Sequence, residues 1–173
     1  MDNSLLDDNL LDDSFGYLNE EEENWQLFLG KKANDYIPIW KHIKQGKKVH
    51  FNIFAFLFWA FWLAYRKMYG YAFLLILLNF SLEYIPLILG LSPEFSGLII
   101  IKLIASWGIY IGLSLWGNLL YYQQSMKKIQ AIKAKNLDRE KEKTALIEGG
   151  GTDFVFPIIA FILYVGLIIC IFQ

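Results

Sequence analysis

The sequence predicts an all-α integral membrane protein: three transmembrane helices and one short aromatic helix that lies on the membrane surface or re-enters from it. Three observations point there. The apolar residues come in blocks of about twenty rather than at amphipathic spacing. One further block, Phe51 to Tyr65, is too short to cross and has basic residues at both ends. The net charge of −1 hides a segregation, with nine acids and no base in residues 1–24 and the bases gathered at 31–48, 66–67 and 127–143.

Phe51 to Tyr65 reads FNIFAFLFWAFWLAY, with eight aromatic residues in fifteen. As a helix it reaches about 22 Å, short of the ~30 Å hydrocarbon core. Lys47, Lys48 and His50 precede it, and Arg66 and Lys67 follow. Positive charge stays on the cytoplasmic side, so both ends belong to one face. Trp59, Trp62, Tyr65, Arg66 and Lys67 are the expected membrane-interface anchors.

Taken in order, residues 1–24 form an acidic cytoplasmic tail expected to be disordered. It carries a tandem repeat, SLLDD then NLLDD, over residues 4–13. Residues 25–50 form a cytoplasmic surface segment that Gly30 and Pro38 are expected to break. Residues 51–173 are the membrane domain, with the interfacial segment 51–65, spans at 71–90, 98–122 and 154–172, and a cytoplasmic helix at 123–148. That helix carries seven bases against four acids. Gly149, Gly150 and Gly151 then read as a flexible joint. Pro157 falls in the first turn of the last span, where proline is tolerated.

The topology follows from charge. The N-terminus is inside, the three spans run out, in and out again, and Gln173 ends outside. Making 51–65 a true span would put Arg66, Lys67 and the 127–143 cluster outside, against the charge rule. The acidic N-terminus lacks the opening of a cleavable signal peptide. Cys170 is the lone cysteine, so neither an intrachain disulfide nor a cysteine-based zinc site is available.

Two stretches, GKKANDYIPIW and FNIFAFLFWAFWLAYRKMYGYAFLLILL, resemble an uncharacterised bacterial inner-membrane family, a domain-of-unknown-function group with a signature near F-N-W-A-A-F-F-F-G-P-F-W-L-x-Y-R-K-M-Y. Phe51, Asn52, Ala55, Phe56, Phe58, Phe61, Trp62, Leu63, Tyr65, Arg66, Lys67, Met68 and Tyr69 match it. The resemblance implies the bacterial cytoplasmic membrane and no established chemistry. Trp59-Ala60 stands where the signature has Gly-Pro. Without that kinking pair the run is expected to continue as one surface helix.

Glu83 and Lys102 are the charged residues inside the first two spans. Joined by a short outer loop, they lie at similar depth. Intramembrane charges mark an ion path, or else form a structural pair or snorkel to the interface. Asn79 and Asn118 are expected to hold helices together, at ~0.6–2 kcal/mol for such amides. Gly108 and Gly112 form a G-x-x-x-G that suits an oligomer face or packing within the chain. His42 and His50 have no acid or cysteine at ligand spacing, so no metal site is expected.

No catalytic constellation is present: no nucleophile elbow, phosphate loop or paired carboxylates. No cofactor is expected, and the basic clusters flank apolar blocks rather than mark nucleic-acid binding. The expected function is a non-enzymatic membrane-anchored scaffold whose partners are the lipid bilayer and a cytosolic protein met through residues 1–24 or 123–148. The alternative is a homo-oligomeric channel with Glu83 and Lys102 in its path.

Overall fold

The computed structural model describes residues 20–90 and 96–171. The tandem repeat, the loop centred on residues 91–95 and Gln173 lie outside them. The described chain is helical, with no strand among the described residues. It comprises α1 (residues 20–29), a 3-10 turn Gly30–Lys32, α2 (Ala33–Lys44), α3 (Ile53–Tyr65), α4 (Tyr69–Ile88), α5 (Ser96–Lys133), α6 (Arg139–Gly149) and α7 (Val155–Ile171). These residues divide into two compact units, 20–41 with 125–151, and 42–124 with 152–171.

The first unit has an ordinary apolar core. Trp25, Phe28, Leu29, Trp40, Ile129 and Leu146 are all buried. The indoles of Trp25 and Trp40 meet edge to face at 5.5 Å. Glu20 to Asn24, expected in a disordered tail, are helical, and Asn24 is buried. Three of these acids meet bases: Glu20 with Lys133 at 2.7 Å, Glu22 with Lys41 at 2.7 Å and Glu23 with Arg139 at 2.7 Å. The Lys133 ammonium holds the Glu20 carboxyl below its usual range. The acidic run is therefore carried into a helix whose Trp25, Phe28 and Leu29 are buried in this core, and the exposed ion pairs to the basic segments add modestly to it.

Pro38 lies inside α2 rather than ending it. It removes one backbone bond, while buried Tyr36, Ile37 and Trp40 hold the helix to the core. The expected helix over 123–148 is also corrected. α5 continues without interruption to Lys133, and the break comes at 134–138. Asn136 adopts φ 47° there, and the Asp138 carboxylate caps α6 by accepting from Lys141 N at 3.1 Å.

The triple glycine is not a loose joint. A Cβ on Gly150 would collide with the Phe28 carbonyl oxygen and lie 2.7 Å from its carbon. Gly151 N donates to the same oxygen at 2.7 Å. Glycine is required there for close backbone approach.

The second unit is built of apolar helices with little chain around them. α4 and α5 are long and apolar enough to cross a membrane, and only 6% of each qualifying window is buried within the chain. A core helix of a soluble domain would be mostly covered. α7 has 17 described helical residues, about 25 Å of rise. Phe73, Ile104 and Ile162 stand more than 60% exposed on α4, α5 and α7.

α3 is not the continuous helix expected. Trp59 has φ 29° and ψ −105°, splitting it into two limbs. That is the position where the resembled signature has Gly-Pro. Glycine takes positive φ freely, and proline suits the first residue of the limb that follows. Tryptophan adopts the conformation here at a cost of order 1–3 kcal/mol, with its ring against Phe61 at 5.9 Å and Tyr110 at 5.8 Å.

Gly150→Ala is expected to destabilise the first unit by ~1–3 kcal/mol through overpacking against backbone. At Gly149 the nearest atom to an added Cβ is the mobile Ile132 Cδ1 at 3.2 Å, so Gly149→Ala should cost clearly less. Limited proteolysis and thermal unfolding of the full chain in detergent measure both.

Candidate functional site

Several polar groups of the second unit converge where both ends of α3 meet one stretch of α5. The chain enters by pairing its backbone with α5 carbonyls. His50 N donates to Leu115 O at 3.2 Å, and Asn52 N to Ser114 O at 2.8 Å. Asn52 then serves twice. Its Oδ1 caps α3 by accepting from Ala55 N at 3.0 Å, and its Nδ2 donates to Asn118 Oδ1 at 2.8 Å. Asn118 Nδ2 in turn donates to His50 O at 3.3 Å. Asn52 and Asn118 are buried at 8% and 2% exposure, and each makes its bonds inside the cluster.

The outgoing limb returns to the same place. Trp62 is buried and packs on Gly117, where an added Cβ would lie 3.3 Å from the indole. Its ring also meets Tyr121 at 6.3 Å. Past Tyr65 the helix closes with a left-handed turn at Lys67, φ 55°. Lys67 N bonds Ala64 O at 2.9 Å, and Met68 N bonds Leu63 O at 2.9 Å. This is a Schellman cap, with Met68 buried as its apolar companion. Arg66 is 5% exposed, and its guanidinium lies over the rings of Tyr65 at 5.1 Å and Tyr121 at 5.2 Å.

Asp153 fastens α7 to this foot. Its backbone N donates to Tyr65 O at 2.9 Å. One carboxylate oxygen caps α7 by accepting from Val155 N at 2.8 Å and Phe156 N at 3.3 Å, and the other takes the Tyr69 hydroxyl at 2.6 Å. The Tyr69 hydrogen bond, with the two backbone donors, holds the Asp153 carboxyl below the usual range. Phe154 packs on Tyr65 at 4.7 Å and Phe156 on Tyr69 at 4.5 Å.

The residues singled out in the sequence fall in several places. Glu83 and Lys102 meet at 2.8 Å, with Glu83 the more exposed. Asn118 belongs to the foot, whereas Asn79 is half-buried on α4. Gly108 and Gly112 would have open space around an added Cβ, so the close approach on α5 falls at Gly117 instead. Of the expected interface anchors, Trp62 and Arg66 are buried within the chain and Trp59 is at the kink. His42 and His50 stack at 5.7 Å, and no cluster of three or more metal-ligating side chains occurs among the described residues. Sequence reasoning passed over Asp153. An aspartate two residues before an apolar helix is a capping signal, but nothing local marks Tyr69 as its partner.

Side-chain amides, a cation over two rings and a capping carboxylate tie these segments together. A family model described as "Protein of unknown function (DUF2628)" matches residues 21–127, well over half of the chain. No curated protein and no solved structure matches it.

Asn52→Ala and Asn118→Ala are each expected to destabilise the second unit by ~1–2 kcal/mol, the first also removing a helix cap. The double variant should lose less than the sum, and a thermal-unfolding double-mutant cycle reads the coupling. Asp153 gives a pH signature. A carboxyl held below its usual range stabilises the fold above that range, and the contribution disappears as pH falls through the ordinary aspartate value toward the depressed one. Wild type should therefore lose thermal stability on acidification more steeply than Asp153→Asn.

Proposed function

We propose that this chain, which belongs to the DUF2628 family of proteins of unknown function, is a non-enzymatic accessory protein anchored in the bacterial cytoplasmic membrane. In this reading α4, α5 and α7 cross the bilayer and α3 re-enters from the cytoplasmic face. The observation that carries it is the foot: both ends of the aromatic run are held at residues 114–121 of α5. A run whose two ends are held within two turns of the same membrane helix has turned back rather than crossed. Lys47, Lys48 and Lys67 flank those ends in sequence, and positive charge keeps them cytoplasmic.

Residues 20–41 and 125–151 then form a soluble-type helical unit available to cytosolic partners. Since Glu20, Glu22 and Glu23 are engaged within it, partner capture falls to residues 1–19 and to the outer surface of α6. The direct contact of Glu83 with Lys102 supports a structural pair. Each neutralises the other, which removes the bare charge that would mark an ion path.

Three measurements test this. Native mass spectrometry of the nanodisc-embedded protein should give a monomer or dimer; a ring-sized oligomer with conductance that falls on Glu83→Gln would sink the scaffold reading. Removing residues 1–19 should weaken cross-linking to a cytosolic partner, whereas Lys102→Met should leave it intact. A single cysteine introduced by Lys48→Cys, with Cys170 replaced, should be labelled only after the inner face is opened.

A further inference from the structure

We propose that α3 is a wedge confined to one leaflet, and that its ligand is the acyl region of the leaflet bearing the foot, bound most strongly where that leaflet is stretched by convex curvature. The inference rests on the membrane reading above and adds a specific lipid-surface activity to it.

Two independent rulers give the depth. Along α5, the foot spans Ser114 to Tyr121 and is centred near Asn118, and the kinked tip is at Tyr110, which Trp59 meets at 5.8 Å. Eight residues of helix rise give about 12 Å. Along α7, Tyr65 meets Phe154 at the foot and Phe61 meets Phe161 at 5.5 Å near the tip. Seven residues give about 10 Å. Half of a ~30 Å hydrocarbon core is about 15 Å. Tyr110 is also the midpoint of the apolar block Leu98 to Tyr122. The hairpin therefore stops near the midplane.

The consequence is an asymmetric cross-section of this unit. The foot-side leaflet holds two limbs of α3 beside α4, α5 and α7, and the far leaflet holds only the three spans. Each helix is ~10–12 Å across with its side chains. The limbs are not hidden behind the spans. Phe54, Leu57 and Phe58 are 62%, 59% and 52% exposed, while Ala55, Ala60 and Leu63 make the contacts within the chain. Large apolar groups thus face outward at mid-leaflet depth, where only acyl chains can cover them. The lysines beside the foot suit anionic headgroups above those chains. Apolar side chains inserted at this level gain most where lipid packing is loose, so binding is curvature-sensitive.

The test reconstitutes the full chain, carrying Lys48→Cys and Cys170→Ser, into small sonicated and large extruded vesicles of phosphatidylethanolamine and phosphatidylglycerol. The expected result is higher protein density per lipid in the small vesicles, with the introduced thiol mostly outward, since their outer leaflet is the stretched one. Phe54→Ala/Leu57→Ala/Phe58→Ala removes outward volume and leaves the buried contacts. It should bring both ratios to one while the protein still resists alkaline carbonate extraction. Equal density and random orientation of the parent protein, or full bias in the triple variant, overturns the wedge and leaves the membrane reading standing. Carbonate extraction of the parent protein overturns both.

Discussion

The structure of the apolar unit depends on one constraint: the aromatic run must begin and end against the same two turns of α5. Asn52 and Asn118 impose it at the entrance, where each amide satisfies the other and a backbone group. Arg66 over Tyr121 and Trp62 on Gly117 impose it at the exit. With both ends tied, thirteen helical residues cannot stay straight, and the chain must turn between them. Trp59 absorbs the turn at positive φ. Local propensity alone would have carried the helix through.

The same constraint explains why polar groups sit inside an apolar unit. A buried guanidinium is costly unless something replaces its water, and two tyrosine rings do part of that here. Buried amides are tolerable because their donors and acceptors are matched. The short motif Tyr65 to Tyr69 thereby has a physical account for every residue. Tyr65 receives Asp153 N, Arg66 covers the rings, Lys67 makes the left-handed turn, Met68 fills the core and Tyr69 binds the capping carboxylate.

Composition made the helical class and the long apolar helices legible, because length and hydropathy are local properties. The Glu83–Lys102 contact was also within reach, since a short loop fixes the two residues at similar depth. What escaped reading needed partners far along the chain. Glu20 to Glu23 looked disordered until the burial of Trp25, Phe28 and Leu29 in the same helix, with counter-charge from Lys133, Lys41 and Arg139, came into view. Gly150 looked flexible until the Phe28 carbonyl stood against it. The kink at Trp59 was missed because tryptophan carries no turn signal, and only the tie to α5 forces one.

The bond between Asn52 and Asn118 spans 66 residues of sequence, and this sets an order of assembly. When the aromatic run leaves the ribosome, the helix that will hold both its ends has not been made. α4 must be laid down first, then α5, before Asn52 has an amide to meet. The entrance of the run is therefore fastened late, once α5 exists, and α7 is joined to its exit through Asp153 only after that. During that interval eight aromatic side chains lack the α5 surface that holds the two ends of their run, so the time taken to synthesise residues 66–118 is the window in which this segment is most open to mispairing.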